Sequence, residues 1–150
     1  MKYFILLCAL SAWTGALQAQ DKPIHLDKAA FEERVATLKS LEKGWAYLGD
    51  KPCIIDFYAD WCGPCHVIAP HLEALAKEFE GKIYIYKIDT DKEKELARAF
   101  GVTAIPTLVF SPLNEDPQVA KGALPKKELK RLIETVLLAN PKSTEDQSSK

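Results

Sequence analysis

An excess of charge of either sign is missing from this chain: 20 Lys and Arg face 21 Asp and Glu, for a formal net charge of −1. No basic surface therefore argues for a nucleic-acid partner, and no block of like charge argues for binding to membrane headgroups. Histidine is scarce, with 3 residues. A structural zinc site takes four ligands, usually two cysteine pairs or one pair with suitably spaced histidines. His66 adjoins Cys65, but His25 and His71 stand at no matching spacing, so no metal site is expected. Internal repeats and low-complexity inserts are absent too. What remains is the balance of an ordinary globular protein, 47% apolar and 27% charged over 150 residues, enough for one domain with its own core.

Long apolar runs are also lacking, except at the start. Lys2 is followed by unbroken apolar sequence from Tyr3 to Leu10, and Leu17-Gln18-Ala19 approximates a small-residue cleavage site. This reads as a secretory signal peptide over residues 1–19, with the mature chain exported and starting at Gln20. An uncleaved anchor is the alternative, but a membrane span needs roughly 20 apolar residues. Ser11, Thr14, Gly15 and Gln18 interrupt the second half of this one. Cys8 lies too early to carry a lipid at the cleavage point. No membrane insertion is expected after cleavage. The mature chain keeps Cys53, Cys62 and Cys65, an odd count unlike that of a disulfide-stapled scaffold.

The mature part alternates strand-like and helix-like segments. Asp27 can cap a helix in which Phe31, Val35 and Leu38 recur at i, i+4 and i+7. Gly44, Gly49 and Pro52 break the next stretch. Cys53 to Ala59 is a short apolar run with one acid, Asp56, and suits a strand covered on both faces. After Pro64, Ile68, Leu72, Leu75 and Phe79 share a helical face that Gly81 ends, with Pro70 inside as a kink. A second strand is predicted over Ile83–Ile88, and a short helix from Glu93 to Phe100. Strands follow at Thr107–Phe110 and Gln118–Lys121, then a helix opened by Pro125 that turns Leu129, Leu132, Ile133 and Val136 inward. Residues 140–150 are polar and read as a loose tail. The order predicts a mixed sheet with helices on both sides, a single domain over 20–139.

Trp61-Cys62-Gly63-Pro64-Cys65 carries the chemistry. The segment follows a predicted buried strand and opens a predicted helix, where backbone N–H groups lack partners and the helix dipole is positive. A thiolate at Cys62 is favoured there, and thiolate is the reactive form. Cys65, one turn in, can reach it. The expected cycle has Cys62 attack a substrate disulfide and Cys65 then displace the substrate. Asp56, in the buried strand, is the acid placed to take the proton of Cys65, because burial raises a carboxyl pKa towards neutrality. Half of a zinc site and an inert structural disulfide are the bland alternatives. Cys53 reads as an inert buried thiol.

Beyond that pair, the sequence resembles the thioredoxin family over roughly Ile24 to Ala139. The carriers are Asp56-Phe57-Tyr58-Ala59-Asp60-Trp61-Cys62-Gly63-Pro64-Cys65, Ala69-Pro70, Ala104-Ile105-Pro106-Thr107 and Gly122-Ala123-Leu124. With the amino-terminal segment, it resembles the family's periplasmic members in Gram-negative bacteria. The resemblance implies an α/β thioredoxin fold, a central mixed sheet of four to five strands flanked by helices on both faces. It implies a protein-disulfide reductase with no cofactor besides the Cys62–Cys65 disulfide. Pro106 would be cis beside the cysteines, and the Ile105 backbone would pair with an extended substrate segment. Trp61 and Gly122 would border the same apolar groove, and Asp56 would be the family's buried acid.

Three places depart from the pattern. Many thioredoxins place a lysine near the buried acid; counting back from Asp89 puts that position at Ile85, with Lys87 two residues on as a candidate substitute. His66 stands where lysine or arginine is common; it reads as a solvated histidine, with a charged form that would favour thiolate at Cys62 as the alternative. Leu41–Lys51 is longer than in minimal thioredoxins, and its Trp45 and Tyr47 read as packing residues. Gly63-Pro64 between the cysteines resembles reducing members. An oxidising periplasm pulls towards oxidase or isomerase work, so a reductase there needs a membrane-embedded electron donor. A binding module without turnover is the reading from another class. The expected partners are proteins with disulfides or thiols, met by a monomer.

Overall fold

The computed structural model describes residues 21–139; the expected signal peptide and polar tail lie outside the described residues. Five strands form one sheet in the order β1-β3-β2-β4-β5. β1 is Ile24–His25, β2 Cys53–Tyr58, β3 Tyr84–Asp89, β4 Thr107–Ser111 and β5 Gln118–Lys121. β1, β3 and β2 run parallel, whereas β4 is antiparallel to β2 and β5 to β4. The sheet is therefore mixed, with five strands. Among the described residues, no helix is long and apolar enough to cross a membrane.

Strand alternation divides the core in two, because successive side chains point to opposite faces. Ile54, Ile85, Leu108 and Phe110 pack with Ile68, Leu72 and Leu75 of α3 (Gly63–Glu78), and with Leu129 and Ile133. Leu129 belongs to α5 (Lys126–Leu132), which continues as a π-helical turn over Ile133–Leu137. On the other face, Cys53, Ile55, Phe57 and Ile88 meet Phe31 of α1 (Lys28–Arg34) and Leu96 of α4 (Lys94–Ala99). Each side chain fully withdrawn from water contributes about 1.5–3 kcal/mol before the cost of ordering it. Asp56 shares the face of Ile54, the face covered by α3.

One expectation changes here, and one strand is added. The single helix through Phe31, Val35 and Leu38 is instead two. α1 stops at Arg34, Val35 and Ala36 are buried in the turn, and α2 (Leu38–Leu41) restarts from Thr37, whose side chain accepts the Ser40 N–H. A threonine that can cap a new helix competes with continuing the old one. β1 is a strand that apolar periodicity does not reveal: two residues are too short to show a pattern, and it is held by pairing to β3. In the longer segment after α2, Trp45 donates to Ser111 Oγ at 3.0 Å, stacks on Tyr47 and meets Phe100 edge-on. These aromatics pack, as read from the sequence. α3 runs through Pro70 without ending.

Candidate active site at the β2–α3 junction

β2 delivers its last residues to the start of α3, and the chain there turns sharply enough that Cys62 N–H bonds back to the Ala59 carbonyl at 3.1 Å. Cys62 is the N-cap of α3, extended in backbone, and its sulfur accepts the Cys65 N–H at 3.2 Å. A sulfur in that position does what a serine or aspartate oxygen does at other helix starts. It also lies where the helix dipole favours negative charge. Pro64 falls in the first turn, where its missing N–H costs nothing. A Cβ added at Gly63 would meet no atom within 4 Å, so the tip between the cysteines faces open space.

The two sulfurs are joined as a disulfide, with Cα atoms 5.3 Å apart. Cys62 and Cys65 are both nearly buried, and they pack with Ala59, Tyr58 and Ile105. The Ile105–Pro106 peptide is cis. Cys62, Gly63, Pro64, Trp61, Ala104 and Ile105 line an open groove of about 390 Å³. Trp61 is 72% exposed, and its indole N–H donates to Asp91 Oδ2 at 2.8 Å, which fixes the ring at the groove wall. Sequence reasoning misses Asp91, since nothing in spacing ties it to Trp61. Gly122, at φ +90°, donates its N–H to the Pro106 carbonyl at 2.8 Å. It is next to the cis proline but is not among the residues lining the groove. His66 bonds through Nε2 to the Asp60 carbonyl at 2.7 Å.

Asp56 is 1% exposed, and its Oδ1 has no hydrogen-bond partner. Burial pushes its pKa up to about 6, against the opposing pull of Lys87. Lys87, offered by the sequence as the substitute for a lysine at Ile85, is the cation beside Asp56. The register pairs Ile54 with Ile85 and Asp56 with Lys87, and Lys87 Nζ lies 4.0 Å from Asp56 Oδ2. A count along one strand has no reference point on its neighbour, and only strand pairing supplies it. Cys53, the remaining described cysteine, is fully buried in β2. Burial pushes its thiol up to about 12, against a weaker opposite pull from Tyr47 and Ser111, which agrees with an inert role. Among the described residues, no group of three or more His, Cys, Asp or Glu could hold a metal ion.

Comparison with known proteins agrees with this geometry. The sequence profile of the family described as Thioredoxin matches residues 22–135. The chain belongs to the thioredoxin family. It is 42% identical over 110 residues to the thioredoxin of Borreliella burgdorferi, covering 73% of this chain and 93% of that one. To the thioredoxin of Haemophilus influenzae it is 38% identical, covering 73% and 92%. Among solved structures, a mutant thioredoxin from Halobacterium salinarum superposes with a TM-score of 0.65. It is 30% identical, and the match covers 82% of this chain and 97% of that one. The five-stranded mixed sheet flanked by helices is thus the thioredoxin fold, and the Cys62–Cys65 pair marks a thiol–disulfide oxidoreductase. Thioredoxins need no cofactor beyond such a pair.

Proposed function

We propose that this thioredoxin is exported and works as a monomeric reductase of protein disulfides. The observation that carries the chemistry is the Cys62 sulfur capping α3 at the edge of the groove. In the reduced protein the Cys62 thiolate attacks one sulfur of a substrate disulfide, and the other substrate sulfur leaves as thiolate. Asp56 takes the proton of Cys65. The Cys65 thiolate then attacks Cys62, and the second substrate sulfur leaves. Two electrons pass to the substrate, and the chain ends as the Cys62–Cys65 disulfide. With a pKa of about 6, Asp56 is mostly ionised at pH 7 and able to accept that proton.

Substrate is held in the groove against Trp61, Gly63 and Pro64. Its backbone pairs with Ile105, whose own N–H and C=O have no backbone partner among the described residues. The cis Pro106 and Gly122 shape the far side of that contact. Export is supported by the apolar run Tyr3–Leu10 and the Leu17-Gln18-Ala19 site, and direction by Gly63-Pro64. A reductase in an oxidising compartment needs electrons from a membrane-embedded donor.

Reduction of insulin disulfides with dithiothreitol as electron source tests the activity; a rate no faster than dithiothreitol alone would defeat it. The equilibrium potential against glutathione, with the redox state of the pair in cells, tests direction. A potential as oxidising as that of a disulfide donor would make the protein an oxidase. Amino-terminal sequencing from whole cells is expected to begin at Gln20, whereas an intact Met1 in the membrane fraction would favour a retained anchor.

A further inference from the structure

We propose that Tyr58 is a positioning residue for proton transfer, its ring face holding the Lys87 ammonium in place beside Asp56. This rests on the reading of Asp56 as proton acceptor for Cys65. Lys87 Nζ stands 4.3 Å from the centre of the Tyr58 ring and 4.0 Å from Asp56 Oδ2. The second distance is too long for a hydrogen bond, so the carboxylate does not hold the ammonium by direct contact. The ring face supplies the second attachment through its quadrupole.

Tyr58 is itself held. Its hydroxyl shares a hydrogen bond with His25 Nδ1 at 3.2 Å, and the two rings meet edge-on with centres 5.8 Å apart. Its carbonyl accepts both the N–H and the hydroxyl of Thr90. His25 pairs with Lys87 across β1 and β3. Burial, then Lys87 and Lys92, lower the His25 pKa against the opposite pull of Asp60 and Asp89, so the imidazole is neutral at pH 7 and adds no charge beside the ammonium.

The clamp matters because other carboxylates are within the same two hollows. On one side of His25, Lys87 shares a hollow with Lys22, Glu73 and Lys77. On the other it shares one with Asp27, Asp89, Lys92 and Glu93. A lysine stem is flexible, and an ammonium freed from the ring can move out towards Glu73, Asp89 or Glu93. Asp56, 1% exposed, would then lose the one cation paired with it among the described residues.

The test is a double-mutant cycle read on the Asp56 pKa. The carboxyl carbon resonance of Asp56 is followed against pH in the disulfide-bonded protein, where neither Cys62 nor Cys65 titrates. Tyr58→Leu keeps apolar cover but removes the ring, and is expected to raise the Asp56 pKa by about half a unit. Tyr58→Phe keeps the ring face and is expected to leave it in place. In a Lys87→Met background, Tyr58→Leu is expected to cause no further shift. An equal shift in both backgrounds, no shift in either, or a Phe variant that behaves like Leu would overturn the clamp. A resolving-step pH profile that ignores these shifts would instead overturn Asp56 as the proton acceptor.

Discussion

Cys53 and Cys62 make an instructive pair. Both are buried, at 0% and 3% exposure, and both belong to the same β2–α3 unit. Yet one reads as inert and the other is the proposed nucleophile. Cys53 sits mid-sheet, where the ladder has already used the neighbouring backbone N–H groups and burial is the dominant influence on the thiol, pushing it up to about 12. Cys62 sits where a strand has ended and a helix has begun, so a backbone N–H is aimed at its sulfur and it lines an open groove. Depth of burial does not decide cysteine reactivity here. The supply of unpaired donors and the route for a substrate do.

That contrast can be broken most severely by exchanging roles. Cys62→Ser is expected to reduce insulin turnover to the dithiothreitol background, while Cys53→Ala leaves it unchanged; equal losses in the two variants would end the comparison. Next in size is Cys65→Ser, which leaves the attacking sulfur but removes the one that resolves. It is expected to accumulate mixed disulfides with client proteins, visible as reductant-sensitive bands on gels, and an extract without such bands would reverse the order of attack.

Asp56→Asn is expected to slow resolution by about 100-fold at pH 7, the low end for loss of a general base, in stopped-flow measurements. The same change is expected to stabilise the fold. Asp56 has a folded pKa of about 6 against an ordinary value of 3.8, so the folded state binds the proton more tightly than the unfolded chain. Stability therefore falls as pH rises from about 4 to about 6, and the loss is complete above that window. Asn should recover roughly 1–3 kcal/mol at pH 7.5 and nothing at pH 3.5, by denaturant titration. A gain independent of pH would mean the carboxyl is not the cause. The smallest effect is at the inert cysteine. Cys53→Ala is expected to cost about 1 kcal/mol, and native Cys53 is expected to resist iodoacetamide over hours.

Much of this site is legible in the sequence alone. The Cys62–Cys65 spacing, the helix after Pro64 and the buried acid in the preceding strand are all local features, set by neighbours within about ten residues. Strand placement is close for the same reason, since β2 and β4 are near-continuous apolar runs. What sequence does not supply is register. Whether Lys87 can stand in for a lysine at Ile85 depends on how β3 slides against β2, and neither strand alone states that. The Trp61–Asp91 bond joins residues 30 apart in the chain, and the Tyr58–His25 bond residues 33 apart; neither follows a period. The break between α1 and α2 is hidden because Val35 and Leu38 fit one helical face until Thr37 is seen to cap.

The claim most open to direct attack is that a backbone N–H at the start of α3 keeps the Cys62 sulfur ionised. Reduced protein can be alkylated across a pH series and the Cys62 product quantified by mass spectrometry. An apparent pKa of about 7 or below is expected. A midpoint near about 8.5, that of a free cysteine, would contradict the account.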